Sequence, residues 1–262
     1  MADWSFRSFG NPGRPAVVFL HGFLGTSDDW EEVAEILANE YYCVLPNLPG
    51  YEDRSSSRAL SSFHALIEEL HAFLQIQALP NVTLVGYSLG GRLALALASE
   101  YPGSCSKLVL ESASPGIADD ETRALRAEAD RKKAAQIEGG SMQDFLEEWY
   151  SLSVFSSLIE KPDLRAKLIS KRLQNDPRSA SWALSTFGPS AQKSYWNALS
   201  DVSCPTLLLT GSEDTKFCAT ATEMSKRLPQ AECAIIEGAG HTVHLEQPGI
   251  VGERIRDFLE RR

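Results

Sequence analysis

Six short apolar runs punctuate the chain: AVVFL (16–20), YCVL (42–45), VTLV (82–85), KLVL (107–110), TLLLT (206–210) and CAII (233–236). Runs this short, apolar on successive rather than alternate residues, predict strands covered on both faces, as in a parallel sheet. Between them the period changes. Over 63–74, Phe63, Leu66, Ile67, Leu70, Phe73 and Leu74 recur at helical spacing, which predicts an amphipathic helix with one stripe against the sheet. His64 and His71 fall off that stripe and read as surface histidines. Pro248 to Leu259 predicts a closing helix. Strands alternating with helices give an α/β fold, a doubly wound and mostly parallel sheet.

The rhythm breaks once. From about Pro115 to Leu199 no strand is predicted, and helical stretches take over at 119–137, 142–150 and 163–173. Ser141, with Asp144 three residues on, has the form of a capping box, and Pro162 stands at the first helical position of the third stretch. Residues 115–199 are therefore expected to form a helical lid inserted between a first core part, 1–114, and a second, 200–262. The C-terminal edge of the sheet, where open α/β folds carry their sites, is where such a lid belongs.

Composition narrows the partners. A net charge of −10 leaves no basic footprint for nucleic acid. An anionic ligand would need locally placed Lys or Arg. The five cysteines are scattered without C-x-x-C spacing, which argues against a disulfide framework or a zinc site and suits a reducing compartment. The first ten residues, MADWSFRSFG, lack the pattern of a secretory signal, and no apolar run is long enough to span a bilayer. A cytoplasmic protein is expected. The sequence points to no particular oligomeric state.

The chemistry begins at GYSLGGR (86–92), which follows the VTLV strand and precedes a helix-forming run. That context makes G-x-S-x-G a nucleophile elbow: Gly86 and Gly90 leave room for a tight turn, and Ser88 is its exposed serine. The following helix N-terminus offers the N–H of Leu89, and the His21-Gly22-Phe23 loop after the first strand offers that of Phe23. Two such donors aimed at a developing oxyanion are worth roughly 3–4 kcal/mol each. His21 reads as a loop-ordering residue. Asp214 stands just past a strand end in Gly-Ser-Glu-Asp, and His241 in the loop GAGHTVH after the last strand. The order Ser88, Asp214, His241 is that of the α/β-hydrolase triad, in which imidazole takes the serine proton and carboxylate holds the imidazole. Glu213 and His244 are the competing acid and base, read here as turn or supporting groups.

Arg92 lies one helical turn past Ser88, so both share a face, and its side chain leans back toward the serine. The LALALA helix looks buried, and an unpaired buried cation is costly, so a carboxylate ligand would relieve it. Arg172 falls within an apolar stripe of Leu164, Leu168, Ile169 and Leu173 and is expected to point inward. Spacing leaves Arg123, Arg126 and Arg131 equivalent, and Trp149-Tyr150 reads first as core.

The full chain resembles the α/β-hydrolase superfamily, a fold that hosts many reactions. Five stretches, GYSLGGR, ESASPGI (111–117), TRALRAEADRKKA (122–134), DFLEEWYSLSVF (144–155) and GSEDTKF (211–217), together resemble the 2-succinyl-6-hydroxy-2,4-cyclohexadiene-1-carboxylate (SHCHC) synthases of menaquinone and phylloquinone synthesis. The resemblance implies Ser88, Asp214 and His241 as catalytic groups, Arg92, Arg126 and Arg172 as carboxylate ligands, and Tyr87 and Trp149 as pocket walls. It selects Arg126 where spacing did not. It implies a lyase that eliminates pyruvate from a small tricarboxylate, with Ser88 as base, and neither metal nor organic cofactor. The loop Pro49-Gly50-Tyr51-Glu52-Asp53-Arg54-Ser55 departs from the P-G-H-G-x-S-like loop usual in relatives. Two other readings remain: a cofactor-free serine hydrolase of a carboxylate-bearing ester, thioester or C–C bond, and a non-catalytic receptor on the same fold.

Overall fold

The computed structural model describes residues 4–49, 60–79 and 81–261; the departure at 50–55 lies outside them. Seven strands form one sheet in the order β1-β3-β2-β4-β5-β6-β7. They are β1 (Phe6–Phe9), β2 (Ala16–Leu20), β3 (Tyr42–Pro46), β4 (Val82–Tyr87), β5 (Cys105–Glu111), β6 (Thr206–Gly211) and β7 (Ala231–Ile236). All neighbours run parallel except β1, which pairs antiparallel with β3. All six predicted strands are present. The periodicity missed β1, because this edge strand is largely exposed and carries no apolar run. β7 also departs from expectation. It is the opposite edge, and its alternating exposure leaves Ile235 57% exposed rather than covered on both faces.

The helices follow their stripes. α1 (Glu31–Leu37) and α10 (Pro248–Glu260) pack on one face of the sheet, while α2 (Phe63–Ile76) and α3 (Leu89–Glu100) pack on the other. α3 is covered all round from Leu89 to Ala98, as the sequence LALALA requires. His64 is exposed beside Glu100, and His71 is half-buried against the Tyr101 ring.

Between β5 and β6 the described chain is helical: α4 (Asp120–Gly139), α5 (Met142–Trp149), α6 (Pro162–Arg172) and α7 (Pro177–Phe187). Each start is chemically marked. Asp119, Ser141 and Asp176 accept from the backbone N–H three residues on, and Pro162 and Pro177 open their helices. A third apolar cluster, including Leu24, Phe145, Leu158 and Leu168, lies beneath these helices and joins them to the loop after β2. In α6 the inward face is Leu168, Ile169 and Arg172, whereas Leu173 at the helix end is 39% exposed, outside the expected stripe. Two further helices, α8 (Thr215–Ser225) and the single turn α9 (Val243–Glu246), follow β6 and β7.

Candidate active site

Strand order reverses at β2, which lies between β3 and β4, so the loops after β2 and β4 meet at the C-terminal edge. The contact is tight. A Cβ on Gly90 would strike the carbonyls of Leu20 and His21, and one on Gly22 would strike the Tyr87 ring at 2.5 Å. Glycine at both positions is what lets the elbow and the Phe23 loop approach. Ser88 sits at φ 48°, ψ −104°, a strained non-glycine conformation that evolution retains at functional turns. Its N–H donates to the Glu111 carbonyl at 2.9 Å, which locks the elbow onto β5.

His21 orders the neighbouring loop. Its Nε2 accepts from Leu48 N–H at 2.9 Å and its Nδ1 donates to the Gly22 carbonyl at 2.8 Å. Burial pushes this imidazole down to about 4, so it is neutral at pH 7, as the accepting Nε2 requires.

Asp214 caps α8, accepting from Phe217 N–H at 3.2 Å through one oxygen. The other oxygen accepts from His241 Nδ1 at 2.6 Å. The helix N-terminus thus fixes the carboxylate, and the carboxylate fixes the imidazole. The His241 loop is held in turn by the buried Glu246, which accepts from Gly240 N–H at 3.1 Å, Thr242 hydroxyl at 2.9 Å and Lys161 at 2.6 Å. Glu213 is exposed, and its backbone N–H donates to the Ala239 carbonyl at 3.0 Å. His244 takes another acid: its Nδ1 and its backbone N–H both meet Glu111 Oε1, at 2.7 and 3.1 Å.

Ser88, Leu89, Phe23 and His241 line a cavity of about 340 Å³. The structure brings the remaining expected residues to the same cavity: Tyr87, Arg92, Arg126, Trp149 and Arg172. Arg123 and Arg131 do not reach it; they pair with Asp120 and Glu128 on the exposed side of α4. Tyr87 is buried, which raises its phenol well above the ordinary value, so it keeps its proton as a donor. Trp149 meets the Phe23 ring edge at 5.3 Å, so its core and cavity roles coincide.

The three arginines are held differently. Arg92 donates to the Phe187 carbonyl at 2.7 Å and to Gln192 Oε1 at 3.0 Å, and it lies 5.3 Å over the Phe63 ring. Neutral acceptors on the inserted helices therefore already meet part of the burial cost that a bound carboxylate was expected to relieve. Arg126 bonds Asp130 at 2.7 Å and stays half-buried. Arg172 is buried and bonds Asp29 at 2.6 Å. Burial would raise the Asp29 carboxyl, but the Arg172 guanidinium outweighs it and holds that carboxyl below its ordinary value.

Two cations in the wall were not singled out by sequence, Lys133 and Lys216. Signals existed: Lys133 stands seven residues after Arg126, hence on the same face of α4, and Lys216 stands two after Asp214 at a helix start. Lys133 lies 5.9 Å over the Trp149 ring and Lys216 5.6 Å over that of Phe217. Among the described residues the lining therefore holds five cations, Arg92, Arg126, Lys133, Arg172 and Lys216, and no carboxylate. In a chain of net charge −10 this is a local reversal of sign, suited to an anion. Among the described residues no group of three His, Cys, Asp or Glu side chains could hold a metal ion, and no helix is long and apolar enough to cross a membrane.

Comparison with known proteins gives a consistent picture. Residues 15–248 match the alpha/beta hydrolase fold family. A Bacillus subtilis (strain 168) protein provisionally assigned as 2-succinyl-6-hydroxy-2,4-cyclohexadiene-1-carboxylate synthase is 36% identical over 93% of this chain and 90% of its own. The Enterobacter sp. (strain 638) protein of that name is 33% identical over 97% of this chain and 95% of its own. The structure of MenH from S. aureus superposes with a TM-score of 0.92 at 31% identity, covering 99% of this chain and 98% of that one.

Proposed function

We infer that this chain, which belongs to the SHCHC synthase family within the α/β-hydrolase fold, is the lyase that eliminates pyruvate from 2-succinyl-5-enolpyruvyl-6-hydroxy-3-cyclohexene-1-carboxylate. The observation that carries this reading to the site is the cavity lining, which among the described residues holds five cations and no acid around Ser88 and His241. The substrate bears three carboxylates, on the ring, the succinyl arm and the enolpyruvyl group. Guanidinium forks bind such groups in pairs of parallel hydrogen bonds, and we assign Arg92, Arg126 and Arg172 to them.

The ring carbon beside the succinyl ketone carries the acidified hydrogen. Ser88, its own proton drawn to His241, removes it; Asp214 holds the imidazole through Nδ1. The electrons left by the C–H bond form the first ring double bond of the product diene. The existing ring double bond shifts one place, and the C–O bond to the enolpyruvyl group breaks. The departing enolate gains a proton to become pyruvate. Negative charge gathers on the succinyl ketone oxygen meanwhile, and the N–H groups of Phe23 and Leu89 are assigned to receive it. The helical insertion, 115–199, acts as a lid between core parts 1–114 and 200–262, with Tyr87 and Trp149 shaping the pocket. The reading puts the enzyme in the cytoplasm, a reducing compartment that suits its five scattered cysteines.

The test is pyruvate release by purified protein from the enolpyruvyl precursor generated in situ, with Ser88→Ala and Arg92→Ala alongside and a p-nitrophenyl ester as control. Pyruvate formation lost in both variants supports the lyase. Ser88-dependent ester cleavage indifferent to Arg92, without pyruvate, replaces it with a hydrolase.

A further inference from the structure

At the edge of the sheet opposite the catalytic residues lies a second pair of reactive groups. Cys105 opens β5, and Cys204 precedes the neighbouring parallel strand β6 by two residues. Their sulfurs stand 3.7 Å apart although 99 residues separate them in sequence. A cavity of about 250 Å³, lined by Cys105, Ser106, Cys204 and Pro205 among others, opens beside them. We propose that Cys105 and Cys204 form a dithiol modification site, oxidised by small peroxides to an intramolecular disulfide that clasps together the two strands bracketing the helical insertion. This goes beyond the lyase reading and does not rest on it.

Geometry selects this pair. A disulfide needs its sulfurs at about 2.05 Å, and Cys105 and Cys204 stand just before the paired stretch of two neighbouring strands, which begins at Leu108 and Thr206. The other cysteines are placed differently. Cys43 is buried with its thiol pushed up to about 12, Cys218 donates to the Gly211 carbonyl at 3.2 Å, and Cys233 is exposed without a thiol neighbour among the described residues. Within the pair the roles divide. Cys204 is half-buried whereas Cys105 is buried, so a small peroxide entering from the cavity meets the Cys204 sulfur first. Cys204 is therefore the attacking sulfur and Cys105 the resolving thiol.

The chemistry balances with hydrogen peroxide as the two-electron oxidant. The Cys204 sulfur attacks one peroxide oxygen, the O–O bond breaks, and a sulfenic acid and one water result. The Cys105 sulfur then attacks the Cys204 sulfur; the S–S bond forms as the S–O bond breaks, and the hydroxyl leaves with the Cys105 proton as a second water. The bond closes a covalent loop around the whole insertion. Constraining so long a loop in the unfolded chain favours the folded state.

The experiment treats the native full-length protein with limiting hydrogen peroxide, alkylates remaining thiols in denaturant, and maps the peptides by mass. The expected result is one disulfide joining the Cys105 and Cys204 peptides, a free-thiol count that falls from five to three, and an unfolding midpoint that rises on oxidation. Cys105→Ser should stop at a dimedone-reactive sulfenic acid on Cys204, and Cys204→Ser should leave Cys105 alkylatable. Both thiols alkylated after peroxide, or a bridge formed with another cysteine instead, overturns the proposal. Peptide mapping of the wild type decides the matter even if neither variant folds. Absence of pyruvate-releasing activity would bear on the catalytic reading and leave this result standing.

Discussion

Two histidines three residues apart serve two regions of the molecule. His241 gives Nδ1 to Asp214 at 2.6 Å, and His244 gives Nδ1 to Glu111 at 2.7 Å; all four side chains are buried. Hydrogen-bond length does not distinguish them. Their surroundings do. His241 lines the cavity with Ser88, flanked by the Phe155 and Phe217 rings at 5.6 and 4.7 Å. His244 lies inside the core, stacked 4.1 Å from the Trp30 ring and tilted 4.8 Å from that of Tyr87. Its Nε2 finds no hydrogen-bond partner among the described residues. An acid–imidazole pair becomes a candidate catalyst only when the far nitrogen opens onto a nucleophile and a ligand space. Closed off, the same pair is a fastener, here joining the histidine loop to the strand that also holds the elbow.

The sharpest test of this contrast has the largest expected effect. His241→Ala should lower kcat for pyruvate release by about 10⁴ or more. His244→Ala should lower stability by about 3 kcal/mol, because it takes the imidazole donor from the buried Glu111 carboxylate and opens a hole beside Trp30, and lower kcat less than about tenfold. Steady-state kinetics beside urea unfolding separates the two. A His244 variant as inactive as the His241 one at unchanged stability would erase the distinction between fastener and catalyst.

Next come the arginines, which divide the same way. Arg172→Ala leaves Asp29 buried without its cation, and should cost about 3–5 kcal/mol of stability as well as substrate binding. Arg126→Ala should cost only about 1 kcal/mol, since Asp130 keeps the Ser190 hydroxyl at 2.8 Å and Arg126 is partly solvated. Its KM should nonetheless rise about tenfold or more. An Arg126 variant with unchanged KM would remove it from the substrate site.

A similar magnitude is expected from His21, read through pH. Its imidazole titrates at about 4 when folded against 6.5 ordinarily. Between those values the unfolded chain binds a proton that the folded chain refuses, so stability falls as pH drops through that window, by about 3 kcal/mol in all, and levels off below it. His21→Asn should flatten this slope in urea midpoints taken across the window. A slope of equal size in the variant would assign the acid sensitivity to other groups. The smallest effects belong to the rim. Lys133→Met and Lys216→Met should each raise KM by about two- to fivefold, and the increase should shrink at high salt, as partly solvated charges require. A loss exceeding that of Arg126→Ala would move the principal anion contact outward to the lysines.

Much of this arrangement is written in local patterns. Continuous apolar runs marked six strands, and G-x-S-x-G between a strand and a helix marked the elbow, because each reports a short-range backbone requirement. Asp214 and His241 were legible because each follows a strand and the sheet delivers strand ends to one edge. β1 was not legible, since an exposed antiparallel edge needs no apolar run. Spacing alone did not choose Arg126 from its neighbours, because the sequence period cannot say which face of a polar helix the cavity takes.

The sequence by itself determined the strand–helix alternation, the marked helix starts, the elbow and the placing of Asp214 and His241 after strands, all set by interactions within a few residues. Tertiary structure alone decided that Arg172 meets Asp29 across 143 residues, that His244 meets Glu111 across 133, and that five cations face one cavity in an acidic chain. Charge pairing and burial depend on distance in space, and no local pattern encodes that distance until the sheet and the inserted helices have packed.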